Sequence, residues 1–520
     1  MSSIENRDEN QSRGVSPQKK GNSAHRQGSK KAGKKKMTLR TLQAIGAVLS
    51  LLQAGTAALF IYLLNGTGMI PWKYIMTSFA VLAVSLLLVI LFVNLRSRKT
   101  RIAAIVISVL LIAVQLVGSS YLYRTMNLLR SAESSYKTEL LDFYVRNDDP
   151  AEEMKDVSEY RFGIVDDLSA DEKKTLLETV RRKTGKEIAY WDYSTAIEAA
   201  RALADGEIDV AVFREAYSPV LEEVMDSFAS NSRVIDTCEI RTEMKFETVE
   251  PGEPFHLLIS GIDVKGDISQ TSRSDVNIIV TINPKTKKIL MTTTPRDYYV
   301  YIPEVSGDMR DKLTHAGIYG EDASIRTLEQ LYGIDITYYI RVNFTTLIDI
   351  VDAIDGVDVW SDYEFDCFTD HKVHIEKGWN HLNGRQALAF CRERFSFPDG
   401  DNQRGKDQEA VLKAIIEKVM SPALIVNASG LIDSMRGSFQ TDLPESKIAE
   451  LINQQLSEGT DWMIIRQAAE SGPSGMEYTY SVGNSSRLSI TWPDEYSVKK
   501  NAARMDMILT ERPAEDGSAE

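Results

Sequence analysis

Residues Phe255–Asp297, FHLLISGIDVKGDISQTSRSDVNIIVTINPKTKKILMTTTPRD, predict the centre of the fold. The three apolar runs in this stretch are Phe255–Ile259, Val276–Ile282 and Ile289–Met291. Each is short, rich in Val, Ile and Leu, and bounded by turn residues, which is typical of buried strands. Asn283–Lys287 joins the second run to the third and contains an Asn-Pro pair, so we expect a hairpin there.

Charged residues stand at the ends of these runs. Asp263 follows the first run, Arg273 and Asp275 lead into the second, and Arg296 follows the third. The two-residue spacing places Arg273 and Asp275 on one face of an extended chain. Carboxylates suit magnesium, which proteins usually share with substrate phosphates, and guanidinium groups suit bidentate phosphate contact. Asp263 and Asp275 are therefore candidate ligands of Mg²⁺ or Mn²⁺; the alternative is a set of surface ion pairs.

A second basic cluster lies further along the chain, in Cys391–Gln408. It contains Arg392, Arg394 and Arg404 among Gly, Asp and Asn residues. Arginines close together beside turn residues are more typical of an anion clamp than of a solvated helix face. Only Gln408–Met420 predicts an amphipathic helix here.

Six pieces of the chain resemble, in the right order, the LytR-CpsA-Psr family of cell-wall polymer transferases. They are GID at 261–263, SRSD ending at Asp275, TPRD around Arg296, KLTHAG from Lys312, LNGRQALAFCRER at 382–394, and DNQR…Q at 401–408. The resemblance covers about half of the chain. It implies an α/β domain with a mixed central sheet flanked by helices. It also implies a Mg²⁺-dependent phosphotransferase that moves a secondary glycopolymer (teichoic acid, capsule or similar) from an undecaprenyl-pyrophosphate carrier to peptidoglycan.

The resemblance also implies roles for individual residues. Asp401 is the expected base, with Arg273 and Arg296 acting beside it, and an apolar slot between sheet and helices is expected to hold the polyprenyl chain. The expected pyrophosphate contacts are Arg273, Arg296, Arg392, Arg394, Arg404, Gln408 and Lys312. Asp407 departs from the family pattern, which often has an arginine at this point.

Two other functions fit the same residues. A polyprenyl-pyrophosphate phosphatase would use water in place of the sugar hydroxyl, with the same arginines. A non-catalytic, membrane-tethered polymer-binding or regulatory protein would bind lipid or glycan without turnover.

Three uncharged segments predict transmembrane helices at about 41–64, 74–95 and 102–123. The joint between the second and third carries four basic residues and the joint between the first and second carries one, so the positive-inside rule predicts a cytoplasmic N-terminus and an extracellular body at the cell membrane. Residues 1–40 hold 11 basic and 3 acidic residues. The net charge of the whole chain is nevertheless −14, so the part that follows the membrane helices must be strongly acidic. Nucleic acid is therefore not the expected partner.

The remaining segments predict the domain organisation. Residues 1–40 are predicted to be a disordered basic tail, 41–124 the membrane helices, 125–245 a small extracellular α/β accessory domain, and 250–512 the catalytic domain. Residues 125–145 are predicted to be helical. The three cysteines are too few for a disulfide framework, although a Cys367–Cys391 bridge stays open.

Overall fold

A computed structural model shows three long helices, after which the chain continues as a mixed α/β body. The structure describes residues 38–132, 136–225, 227–243, 249–262, 268, 272–397, 400–419, 439–459 and 461–512. Helices α1 (Leu39–Gly66), α2 (Trp72–Asn94) and α3 (Arg98–Ala132) are long and apolar enough to cross a membrane, as predicted. Most of the predicted basic tail, residues 1–37, lies outside the described residues.

The chain then builds a five-stranded sheet with strand order β3-β2-β4-β1-β5, which we call the N-terminal α/β unit. Its elements are β1 (Tyr136–Arg146), β2 (Arg161–Val165), α4 (Ala170–Thr184), β3 (Ala189–Tyr193), α5 (Ala196–Ala204), β4 (Val210–Arg214), α6 (Ser218–Val224), α7 (Phe228–Asn231) and β5 (Ser232–Glu243). The helix predicted over 125–145 is wrong beyond Ala132. Residues 136–146 are instead a strand between β4 and β5 that buries Leu141, Phe143 and Val145 on one face.

A six-stranded mixed sheet follows, with strand order β16-β11-β6-β7-β8-β17, which we call the central α/β unit together with its helices. Its first elements are β6 (Phe255–Ile262), β7 (Ser274–Asn283), β8 (Lys288–Thr293), β9 (Tyr299–Tyr301), β10 (Arg310–Lys312), α8 (Leu313–Ala316), α9 (Glu321–Tyr332), β11 (Tyr338–Val342) and α10 (Phe344–Ala353). Two two-stranded antiparallel sheets, β12–β15 and β13–β14, and α11 come next: β12 (Val357–Ser361), β13 (Phe365–Asp366), β14 (His374–Ile375), β15 (Gly378–Leu382) and α11 (Gly384–Arg392). The last elements are α12 (Gly400–Val419), β16 (Phe439–Thr441), α13 (Glu445–Glu458), β17 (Met463–Ala468), β18 (Ser471–Thr479), β19 (Gly483–Pro493) and α14 (Glu495–Thr510).

The three predicted central strands are confirmed, and they form the middle of this sheet. β6 pairs antiparallel with β7, and β7 with β8 through the predicted hairpin. Alternate residues of β7 face opposite sides. Ile279 packs in the cluster that includes α9 and α14, whereas Ile278 packs in the cluster that includes α12 and α13. Helix α14 was not predicted, although Asp494 caps its start by accepting a hydrogen bond from the Ser497 N–H.

The two α/β units share one hydrophobic cluster. Tyr217 and Val220 of the N-terminal unit pack in it together with Ile318 and Val482 of the central unit. The Tyr217 and Tyr319 hydroxyls are 2.9 Å apart inside this contact. Because both rings are buried, the units are held to each other by a packed core as well as by the chain connection.

The turn between α1 and α2 also contacts the central unit. Lys73 donates from Nζ to the Ser457 carbonyl at 2.7 Å, and Asn453 donates to the Gly68 carbonyl at 3.0 Å. Both partners lie on α13, which is linked to the β7–β8 hairpin through Gln454. The α1–α2 turn is therefore attached at the hairpin end of the sheet.

Candidate active site

A cavity of about 380 Å³ lies between one face of the central sheet and helices α10, α11 and α12. Its walls are mainly aliphatic, and the residues that form them include Ile259, Ile278, Leu347, Leu388, Val411, Leu412 and Ile415. Its charged and amide lining consists of Arg273, Asp275, Arg296, Asn343, Arg392, Arg394, Arg404 and Gln408. The structure therefore brings the five predicted arginines from two distant segments of the chain into one pocket.

Strand and helix ends explain why these arginines meet. Arg273 immediately precedes β7 and Arg296 follows β8, so the hairpin places both at the same edge of the sheet. Arg392 ends α11, Arg394 follows it, and Arg404 lies near the start of α12. The predicted start of α12 at Gln408 is wrong: the helix begins at Gly400, within residues whose turn propensity favoured a loop.

Asp275 is held as an ionised carboxylate within this group. Its Oδ2 accepts from Arg296 Nη1 at 2.8 Å, and its Oδ1 accepts from the Thr314 hydroxyl at 2.9 Å. Burial raises the pKa of Asp275, but the nearby guanidinium groups and the Thr314 hydroxyl outweigh burial, so the net pKa lies below its ordinary value. Asp275 therefore both orients Arg296 and keeps a negative charge in an otherwise cationic site.

Lys312 belongs to a layer beside the pocket. Its Nζ lies 2.7 Å from Asp297 Oδ1, and Asp297 in turn lies 3.7 Å from Arg296 Nε. Lys312 is buried and is absent from the lining of the pocket. The geometry makes Lys312 a neighbour of the carboxylate that faces Arg296, whereas the sequence analysis predicted it as a pyrophosphate contact.

The second basic cluster rests on aromatic rings at the pocket. The Arg392 guanidinium lies 4.3 Å from the centroid of Phe344, and that of Arg394 lies 4.6 Å from the centroid of Phe395. Such contacts hold a guanidinium in place without using its N–H donors. Gln408 donates to the Cys391 carbonyl at 3.2 Å and so ties α12 to the end of α11.

Asp407, the departure from the family pattern, is buried and does not line the pocket. It is 5% exposed and accepts from Gln403 Nε2 at 2.9 Å. Burial raises the pKa of Asp407 to about 7. The carboxyl group at this position therefore lies in the protein interior, outside the lining that carries the arginines.

The described residues fit a magnesium ion in part. Asp275 supplies one ionised carboxylate at the pocket, and Mg²⁺ is commonly held by one or two carboxylates plus substrate phosphates. Among the described residues no group of three His, Cys, Asp or Glu could hold a metal. Asp263, the second predicted ligand, lies outside the described residues, and so does the side chain of Asp401, whose backbone lies in α12.

Sequence reasoning missed three contributors to the site. Thr314 bonds Asp275, Phe344 supports Arg392, and Glu223 of the N-terminal α/β unit lies 3.6 Å from Arg273 Nη1. Thr314 stands inside the KLTHAG piece, which was a signal for it. Phe344 and Glu223 carry no local signal because their partners are 48 and 50 residues away in the chain.

The fold and the pocket define a class: an α/β protein with membrane-type N-terminal helices and an apolar pocket that is rich in arginine. Such a pocket suits an anionic group attached to an apolar chain. The chain matches the LytR_cpsA_psr family over residues 223–492, more than half of its length, and it belongs to that family.

Curated relatives include polyisoprenyl-teichoic acid--peptidoglycan teichoic acid transferases. TagU of Bacillus cereus is 34% identical over 204 residues, which are 39% of this chain and 65% of TagU. TagT of Bacillus subtilis is 36% identical over 209 residues, which are 38% of this chain and 63% of TagT. The chain thus spans just under two thirds of the length of these relatives.

Solved structures show similarity over about half of the chain. B. subtilis TagV has a TM-score of 0.43 and 27% identity, with 50% of this chain and 99% of TagV covered. TagT bound to LI-WTA has a TM-score of 0.41 and 27% identity, with 51% of this chain and 95% of TagT covered.

Proposed function

We propose that the protein transfers a glycopolymer from a polyprenyl-pyrophosphate carrier to peptidoglycan and forms a phosphodiester. The observation that carries this proposal is the pocket itself, in which aliphatic walls adjoin five arginines. The aliphatic part suits the polyprenyl chain, and the arginines suit its pyrophosphate. The transferase names of TagU and TagT support the same reaction.

The reaction assigns a task to each polar group. The oxygen of a peptidoglycan hydroxyl attacks the phosphorus that carries the glycan, the bond from that phosphorus to the polyprenyl phosphate breaks, and polyprenyl phosphate leaves. Asp401 is the proposed acceptor of the hydroxyl proton. The arginines stabilise the charge that grows on the phosphate oxygens, and Asp275 keeps Arg296 oriented. A magnesium ion held by Asp275 and Asp263 would neutralise part of that charge.

The proposed location is the outer face of the cell membrane of a Gram-positive-type bacterium. Four basic residues lie within residues 96–101, where α2 ends and α3 begins, whereas Lys73 is the single basic residue where α1 ends and α2 begins. By the positive-inside rule, this asymmetry supports a cytoplasmic location for the α2–α3 joint. The α1–α2 turn is then extracellular, and its contact with α13 supports an extracellular central unit.

An assay with matched variants tests this function. The full-length protein in detergent would receive a polyprenyl-pyrophosphate-linked glycan, a peptidoglycan oligomer and Mg²⁺, and the phosphodiester product would be measured by mass spectrometry. We expect Arg392→Gln to reduce transfer about 10- to 1,000-fold, because one phosphate contact is lost in the transition state.

Arg385→Gln is the matched control, because Arg385 lies on the same helix but pairs with Asp370 outside the pocket. Its transfer rate should stay within about twofold of wild type. Free glycan phosphate as the sole product would identify a phosphatase. Binding of the carrier without turnover, with or without EDTA, would identify a binding or regulatory protein.

A further inference from the structure

The N-terminal α/β unit places a carboxylate beside the arginine pocket. Glu223 Oε2 of α6 lies 3.6 Å from Arg273 Nη1, and Arg273 lines the pocket. The Glu223 side chain is 41% exposed, so it stands at the edge of the site. We propose that Glu223 competes with phosphate groups for Arg273 and so lowers the affinity of the pocket for them. This inference rests on the proposed function, which assigns the pocket to phosphates.

Helix α6, which carries Glu223, is fixed against the central unit. Tyr217 directly precedes α6, and its hydroxyl lies 2.9 Å from that of Tyr319 and 3.1 Å from Asp167 Oδ2. Val220 and Leu221 of the same helix are buried in the cluster that the two units share. The position of Glu223 is therefore set by a packed interface.

The backbone of Arg273 rests on the same turn as Tyr319. A Cβ added at Gly317 would come within 2.6 Å of the Ser272 carbonyl oxygen and the Ser274 N–H, so this turn packs directly against the backbone that carries Arg273. Residues 317–319 thus support Arg273 through the backbone and α6 through Tyr319. Glu223 and Arg273 are therefore close because of the fold: the helix that carries Glu223 and the backbone that carries Arg273 both contact this one turn.

The sign of the effect follows from charge. A phosphate that binds Arg273 must share the guanidinium with Glu223 or displace it, and the two negative groups repel each other at short range. Because Glu223 is partly exposed, the effect should have the size of an exposed ion pair, about two- to fivefold in affinity. A polyprenyl-linked pyrophosphate would bind through contacts with both the aliphatic walls and the arginines, whereas a small free phosphate compound would bind through the arginines alone. The carboxylate therefore lowers the affinity for both ligands, and the lipid-linked substrate has the aliphatic walls as a second source of binding free energy.

Equilibrium binding of inorganic pyrophosphate to the full-length protein, measured by calorimetry, tests the inference. We expect Glu223→Gln to lower the Kd about two- to fivefold. Glu222→Gln removes the same charge from the neighbouring exposed position of α6, so its Kd should match that of wild type. In an Arg273→Gln background, adding Glu223→Gln should leave the Kd unchanged, because the shared partner is gone.

The outcomes separate this inference from the proposed function. An unchanged or higher Kd for Glu223→Gln, or a gain that persists in the Arg273→Gln background, would overturn the role of Glu223. If Arg392→Gln bound pyrophosphate as tightly as wild type, the assignment of the pocket to phosphates would fail, and this inference with it. Unfolding temperatures equal to that of wild type would show that the variants keep the fold.

Discussion

At the scale of single residues, the arginines of the pocket are held in different ways. Arg296 is bound to Asp275, Arg273 faces Glu223, and Arg392 lies over an aromatic ring. A phosphate in the pocket would therefore meet three different guanidinium groups. Arg296 is paired with a partly buried carboxylate, Arg273 with an exposed carboxylate, and Arg392 is held by an aromatic ring. These differences in surroundings make the five positions unequal despite their identical side chains.

Asp407 provides a pH-dependent prediction. Burial raises its pKa to about 7 in the folded protein from an ordinary value of 3.8, so the unfolded chain loses the proton at lower pH than the folded chain. The contribution of Asp407 to stability is therefore least unfavourable below about pH 4 and worsens as the pH rises toward 7. Asp407→Asn cannot ionise and should unfold about 3–6 °C above wild type at pH 8, with a smaller gap at pH 5.

Thermal unfolding in detergent at both pH values measures this gap. Glu417→Gln, an exposed position on the same helix, is the control and should leave the unfolding temperature nearly unchanged. A gap for Asp407→Asn that is equal at pH 5 and pH 8 would contradict ionisation of a buried Asp407.

At the scale of elements, short turns and helix ends carry the site. The β7–β8 hairpin aligns Arg273 with Arg296, and α12 is tied to β8 where the Thr293 hydroxyl donates to Glu409 at 2.6 Å. The turn at residues 317–319 then joins the N-terminal unit to the start of β7. Each link connects segments that are far apart in the sequence, so the arginine cluster depends on element packing more than on any local motif.

Gly317→Ala tests the importance of that turn. The new Cβ would lie 2.6 Å from two backbone atoms, and backbone cannot move aside as a flexible side chain can. We expect a loss of about 1–3 kcal/mol in unfolding free energy and weaker pyrophosphate binding, since the backbone of Arg273 must shift.

Gly475→Ala is the matched control, because the nearest atom to its Cβ would be 3.9 Å away. Chemical denaturation would give the free energies, and calorimetry the affinities. Equal stability of the two variants would show that the Gly317 turn adapts without strain.

At the scale of the whole molecule, the arginines of the pocket and the α1–α2 turn lie at opposite ends of strands β7 and β8. The α1–α2 turn contacts α13 near the β7–β8 hairpin, whereas Arg273 and Arg296 lie at the other end of these strands. Ten residues of β7 span roughly 30 Å. The end of β7 that is next to Arg273 is therefore far from the α1–α2 turn. The N-terminal α/β unit packs beside Arg273 through Glu223.

Removing the N-terminal α/β unit should destabilise the rest of the body. A chain that begins at residue 250 would expose Ile302, Ala316, Ile318, Val482 and Leu488, which are buried in the shared cluster. Compared with residues 125–520, we expect residues 250–520 to aggregate or to unfold at a lower temperature, because that apolar surface loses its cover. Size-exclusion chromatography and thermal unfolding of both chains would measure this. A monomeric 250–520 chain with an unchanged unfolding temperature would show that the shared cluster adds little to stability.

The sequence by itself was sufficient for features that depend on local pattern. Uncharged length predicted the three apolar helices, β-branched runs predicted β6, β7 and β8, and the ordered motifs identified the family and the arginines of the pocket. The division into domains and the roles of Asp263 and Asp401 stay predictions. Tertiary structure alone decided that Asp407 is buried, that Lys312 pairs with Asp297, and that Glu223 faces Arg273. The physical reason is that periodicity reports which face of an element is apolar, whereas pairing between charged side chains depends on how distant elements pack.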